Sequence, residues 1–175
     1  MKIVYALMLS LALITSVHAQ DDDYVIAVKE CIVSNGTMAY YDTVLEAMVE
    51  DIKTEFSSHT IPDNVWESVA REKEFAKNGL AIMLSQAYKT YFTLEDIEQM
   101  NGLYTSKAGR NMLQKKTLSK EEVKTLDAFY NSAVGQKIQA TQSDMSASLR
   151  RLAKIWINNT SNKMVTLLSE QGYSL

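Results

Sequence analysis

Apolar residues recur every three or four positions along almost the whole chain, the period of one helical face. Val25, Val28 and Ile32 predict a first helix over Tyr24–Ser34 that ends at Asn35-Gly36. Asp21–Asp23 supplies negative charge where a helix N-terminus favours it. Thr37 is placed to cap a second helix, whose apolar face is Met38, Tyr41, Val44 or Leu45, Met48 and Ile52, through to about Phe56. After the polar link 57–60, Pro62 opens a third helix, because proline is tolerated in the first turn and not further in. Val65, Trp66, Val69, Phe75 and Ala76 form its apolar side, while Glu67, Arg71, Glu72, Lys73 and Glu74 face water. Asn78-Gly79 then predicts a break or kink, followed by a short helix over Leu80–Tyr91 that is apolar on most sides and so expected at the centre of the molecule.

The next stretch is written twice. Thr93-Leu94-Glu95-Asp96-Ile97, Met100, Leu103-Tyr104, Ser106 and Gly109 are matched by Ser119-Lys120-Glu121-Glu122-Val123, Leu126, Phe129-Tyr130, Ser132 and Gly135, each offset by 26 residues. Over 93–112 against 119–138, Glu, Tyr, Ser and Gly are identical, and Thr/Ser, Asp/Glu, Ile/Val and Met/Leu exchange like for like. Thr93-x-x-Asp96 and Ser119-x-x-Glu122 both fit a capping box, where hydroxyl and carboxylate satisfy each other's exposed backbone donors. Phe92 with Ile97, and Leu118 with Val123, could staple the two starts. Ser106 and Ser132 predict a bend before Gly109 and Gly135, two glycines that imply close approach of another helix. Tyr104 and Tyr130 are expected in equivalent surroundings.

Val134, Ile138, Met145, Leu149, Leu152 and Trp156 then describe a long helix from Ala133 to about Asn158. Asn158–Ser161 punctuates it, and a final helix carries Met164, Val165, Leu167 and Leu168 as far as Gly172. No useful alternating strand pattern occurs. The fold class is therefore all-α: a single-domain helical bundle over 20–175, with a two-copy helical repeat and a long C-terminal helix.

The N-terminus changes the picture of where the chain works. Lys2, the apolar run Ile3–Ile14 interrupted by Ser10, and the small residues of Val17-His18-Ala19 read as a signal peptide, Met1–Ala19, cleaved between Ala19 and Gln20. The expected location is periplasmic or secreted. The remaining chain carries 17 Lys and Arg against 21 Asp and Glu, formally −4, which gives no general attraction to nucleic acid. Cys31 is the only cysteine, so no intrachain disulfide is available; among Val28, Ile32 and Val33 it reads as a small buried hydrophobe, with a reactive thiol or an intermolecular bridge as the alternative.

Tyr91-Phe92-Thr93-Leu94-Glu95-Asp96-Ile97 and Phe129-Tyr130-Asn131-Ser132-Ala133-Val134-Gly135-Gln136 together resemble the signature of a family of bacterial exported proteins catalogued as a domain of unknown function. That signature is Phe-Thr with acidic residues, then Phe-Tyr-x-Ser-x-x-Gly-Gln. Here its parts are shared between two repeats, and the first copy reads Leu103-Tyr104-x-Ser106-x-x-Gly109-Arg110. Lys107 and Ala133 stand where the family often has proline, and Ile61-Pro62-x-x-x-Trp66 is similar to the region preceding its core. The resemblance spans roughly 60–140 and implies an all-helical envelope protein; it carries over no catalytic residue.

Little chemistry stands out beside it. His59 is the one histidine past the expected cleavage point, so a Ser-His-Asp or Cys-His site would have to use it, in a polar link far in sequence from Cys31, and one His and one Cys are too few for a zinc site. No P-loop or dinucleotide fingerprint occurs. No catalytic, cofactor or metal residue is assigned. The motif residues Phe92, Thr93, Tyr104, Ser106, Gly109, Phe129, Tyr130, Ser132, Gly135 and Gln136 are read as structural. The expectation is a non-enzymatic interaction or structural module that binds a protein or other envelope component. Two alternatives stand. One is a cell-wall hydrolase using Asp or Glu, with Glu95 and Glu121 as the equivalent pair. The other is a membrane-surface protein using Arg150, Arg151 and Lys154 beside the apolar residues of 149–156. The heptad-like stripe of the long helix also permits pairing between chains.

Overall fold

The structure is a computed structural model that describes residues 22–174. The expected signal peptide, with its cleavage point at Ala19 and Gln20, lies outside these residues. Among the described residues there are seven helices and no strand: α1 (22–34), α2 (Thr37–Glu55), α3 (Asp63–Lys89), α4 (Leu94–Thr105), α5 (Lys107–Leu113), α6 (Lys120–Tyr130) and α7 (Ala133–Glu170). The molecule is a helical bundle organised on its two longest helices. At 38 residues, α7 spans about 57 Å at 1.5 Å per residue. It runs antiparallel to α3: the Trp156 indole N–H donates to Ala76 O at 2.8 Å, and the Tyr91 hydroxyl meets Ser148 Oγ at 3.3 Å. Helix α2 packs on α3, and the Tyr41 ring meets Trp156 edge-on at 5.2 Å. Helix α1 lies against α4, held by Ser34 Oγ to Asn101 Oδ1 (2.9 Å) and Asn101 Nδ2 to Glu30 Oε2 (3.0 Å).

One core joins α1, α2, α3, α4 and α7, with Val28, Ile32, Leu45, Phe56, Val69, Leu80, Ile97, Met164 and Leu168 fully buried. Burying each such aliphatic side chain contributes about 1.5–3 kcal/mol. A smaller cluster of Leu103, Ala108 and Leu126 holds α4, α5 and α6 together.

Two expected breaks are absent. Helix α3 runs through Asn78-Gly79, and α7 runs through Asn158–Ser161. In both, the buried stripe continues across the polar residues: Val65, Val69, Leu80, Leu84 and Tyr88 in α3, and Trp156, Thr160, Met164 and Leu168 in α7. A mid-helix glycine costs about 1 kcal/mol, less than the burial on either side returns. Gly36, in the left-handed conformation at φ 83°, is the N-cap of α2 in place of Thr37, and Asn35 Oδ1 accepts from Thr37 N at 2.9 Å. The α3 face also differs from expectation, because Phe75 is 70% exposed and Ile82 is exposed as well.

Candidate functional site

The repeat builds two elbows of one design. Thr93 caps α4 and Ser119 caps α6, and both capping boxes are complete. Thr93 N donates to Asp96 Oδ2 at 2.8 Å and Ser119 N to Glu122 Oε2 at 2.7 Å; the hydroxyls accept from Asp96 N at 3.3 Å and Glu122 N at 3.2 Å. Each unit then turns at a second serine. Ser106 Oγ donates to Leu103 O at 2.7 Å and accepts from Gly109 N at 3.0 Å; Ser132 Oγ donates to Phe129 O at 2.6 Å and accepts from Gly135 N at 3.3 Å. One hydroxyl thus closes one helix and opens the next.

The glycines are demanded by this turn. A Cβ on Gly109 would lie 2.0 Å from Leu103 O, and one on Gly135 2.3 Å from Phe129 O. The helix in close approach is the last turn of the preceding helix, α4 or α6, and not a more distant one. Gln136 Nε2 adds a contact to Asn131 O at 3.3 Å across the second elbow.

The two units are clasped to each other by bonds that exchange partners. The Asp96 carboxylate of the first cap accepts from Lys137 Nζ of α7. The Glu122 carboxylate of the second cap accepts from Asn111 Nδ2 of α5 at 2.8 Å, with Lys107 Nζ at 3.5 Å. Asn111 and Lys137 are themselves 26 residues apart, at equivalent repeat positions. Each unit therefore places a donor from its second helix on the cap carboxylate of the other, the reciprocal pattern of an isologous two-fold contact, here within one chain. Both carboxylates respond. Burial pushes Asp96 up, but the hydrogen bonds from Lys137 and Thr93 and the Lys137 charge hold it below the ordinary value of 3.8. The Ser119 amide, with Asn111 and Lys107, holds Glu122 below 4.5 against a smaller opposing effect of burial. Asn111 and Lys137 face each other in the aligned copies, but they differ in residue type, and only the fold shows that each donates to the other unit's cap.

The units are not equivalent in surroundings. Phe92 and Ile97 are buried in the main core, whereas Val123 is 42% exposed, so the second staple is open. Burial first, with Cys31 and Tyr130 nearby, raises the Tyr104 hydroxyl to about 12. Tyr130 is exposed at the surface, where its hydroxyl reaches Met112 Sδ at 3.4 Å, against Phe129 edge-on at 5.6 Å. Tyr104 and Tyr130 are thus a correction to the expected equivalence, because α4 is covered by α1 while α6 lies at the edge of the bundle.

Cys31 is fully buried, and burial raises its thiol to about 12, which suppresses the reactive thiolate. His59 is exposed and its Nε2 lies 2.7 Å from Ser174 O, with the ring beside Tyr173. Glu95 and Glu121 sit exposed in the first turns of α4 and α6, beside the capping carboxylates. Trp156 faces the core and Leu149 packs against it, so α7 turns its apolar side inward and presents Arg150, Arg151, Lys154 and Ile155 to solvent. An open cleft of about 410 Å³ lies between α1, α2 and α3, with Ile32, Met38 and Ala81 along it and Lys77 bridging Asp42 (3.1 Å) and Glu74 (2.9 Å). Among the described residues no group of three or more His, Cys, Asp or Glu converges as metal ligands, and no helix is long and apolar enough to cross a membrane.

The fold and elbows define a class: an all-helical protein built on a clasped helical duplication. The family profile described as "Uncharacterized protein conserved in bacteria (DUF2059)" matches residues 115–161. The match covers the α5–α6 link, α6, the second elbow and most of α7, so the chain is similar to that bacterial family through its second unit. No curated protein and no solved structure gives a significant match.

Proposed function

We propose that this is an exported, non-enzymatic helical module of the bacterial envelope, working by binding a protein or other envelope component. The observation that carries the reading is the use made of the two buried carboxylates. Asp96 and Glu122 are the acids buried in the described structure, and both are engaged in helix caps and in the clasp between units. Groups held below their ordinary pKa by several donors are poor proton donors at neutral pH, the opposite of what a glycosidase acid requires. The family match supports a bacterial protein, and the apolar stretch Ile3–Ile14 supports the envelope assignment.

The test has two readouts. Expressed in a bacterial host, the full chain should be recovered from the periplasm or medium beginning at Gln20; recovery in the cytoplasm with Met1 intact contradicts export. Incubated with cell-wall fragments, the protein should release no soluble glycan. Turnover that is abolished by Glu95→Gln/Glu121→Gln would establish the hydrolase in its place.

A further inference from the structure

Charge is distributed very unevenly along this chain. Residues 22–105 hold 15 Asp and Glu against 6 Lys and Arg, net −9, while residues 106–175 hold 5 against 11, net +6. The difference is spatial as well. Asp42, Glu46, Glu50, Asp51 and Glu55 lie along α2, which borders α7 near Ile157 and Ser161. The second half's charge is densest at the corner made by α5, its following link and the start of α6: Lys107, Arg110, Lys115, Lys116, Lys120 and Lys124, against Glu121 and Glu122. These residues form one corner, since Lys107 and Asn111 of α5 both reach Glu122 of α6. All six cations are exposed, whereas Glu122 is turned into its cap. Helix α6 runs into the start of α7 at Ser132, roughly 35 Å along that helix from Ile157, where the acidic helix α2 borders it.

A second observation falls at the same place. Leu113 and Val123 are exposed hydrophobic side chains of this corner, beside its lysines in the chain. Cations that neutralise headgroups, beside apolar groups that can enter the interfacial layer, are the two components of peripheral binding to an anionic bilayer. The acidic helix α2 is repelled by such a surface, so the same charge separation that attracts the corner also orients the molecule.

We infer that the α5–α6 corner docks this protein on an anionic lipid surface, with Lys116, Lys120 and Lys124 against the headgroups and Leu113 and Val123 at the interface. The face is distinct from the 149–156 stretch, whose apolar residues point mostly into the bundle. This inference rests on the non-enzymatic reading and names the surface that such a module would bind; its failure would leave the cell-wall result untouched.

The test is co-sedimentation of the full chain with vesicles of phosphatidylcholine containing phosphatidylglycerol, and with phosphatidylcholine alone. The neutral vesicles report any contribution from the apolar stretch Ile3–Ile14. Expected is extra binding to the anionic vesicles that weakens with salt and falls about tenfold or more in Lys116→Glu/Lys120→Glu/Lys124→Glu. A milder Lys116→Gln/Lys124→Gln variant, with an unchanged thermal melt, should show an intermediate loss, and Arg150→Glu/Arg151→Glu should change binding less than about twofold. Equal binding to both vesicle types, no effect of the corner substitutions, or binding to soluble polyphosphate without binding to the anionic vesicles would overturn the inference.

Discussion

The two copies of the repeat share an elbow and differ in almost everything around it. In the first, α4 is covered by α1 and the main core, and the following helix, α5, stops after 7 residues. In the second, α6 sits at the edge and the following helix, α7, continues for 38 residues to become a main support of the bundle. What the copies keep is local: a capping box, a serine turn and a glycine against the preceding carbonyl. What they lose is set by neighbours: a buried staple in one and an open one in the other, a half-buried tyrosine and an exposed one. The duplication therefore preserves hydrogen-bond geometry and leaves burial free to diverge.

Substitutions can sharpen that contrast. The largest difference should come from Ile97→Ala, expected to cost about 2–5 kcal/mol, while Val123→Ala at the matching position stays within about 0.5 kcal/mol. Urea denaturation of the two variants checks this, and similar losses would break the distinction between a buried and an open copy. Next come the glycines. Gly109→Ala and Gly135→Ala should each cost about 3 kcal/mol, because the added carbon would overlap backbone that has no rotamer to yield. Here the copies should behave alike. Smaller again are the caps: Thr93→Ala and Ser119→Ala should each lose about 1 kcal/mol in thermal melts.

The same clasp gives a pH dependence. Asp96 and Glu122 both have folded pKa values depressed below 3.8 and 4.5. The stability they confer is fully present above those ordinary values and is lost as pH falls through the lower folded ones. Asp96→Asn/Glu122→Gln should therefore flatten the acid limb of the stability curve below about pH 4.5 and lower stability at neutral pH. An unchanged acid limb would contradict the assignment of these carboxylates to the clasp.

How much of this could be read from the chain follows the range of the interactions. The caps at Thr93 and Ser119 and the turns at Ser106 and Ser132 were legible, because their donors and acceptors lie within three residues. Asn78-Gly79 and Asn158–Ser161 misled, because a stop signal is a local preference and a continuing buried stripe outweighs it. The exposure of Phe75 and the inequality of Tyr104 and Tyr130 depend on which helices lie alongside, which periodicity does not encode. The Asp96–Lys137 contact joins residues 41 apart, and its partner was hidden until the repeats were brought face to face.

The two units are held together through their own cap carboxylates. A double-mutant cycle on Asp96→Asn and Lys137→Met tests it most directly. The expected coupling is at least about 0.5 kcal/mol, with each single substitution removing much of the benefit of the pair. Losses that add to within about 0.3 kcal/mol would mean that the two side chains act independently, and that this half of the clasp does not join the units.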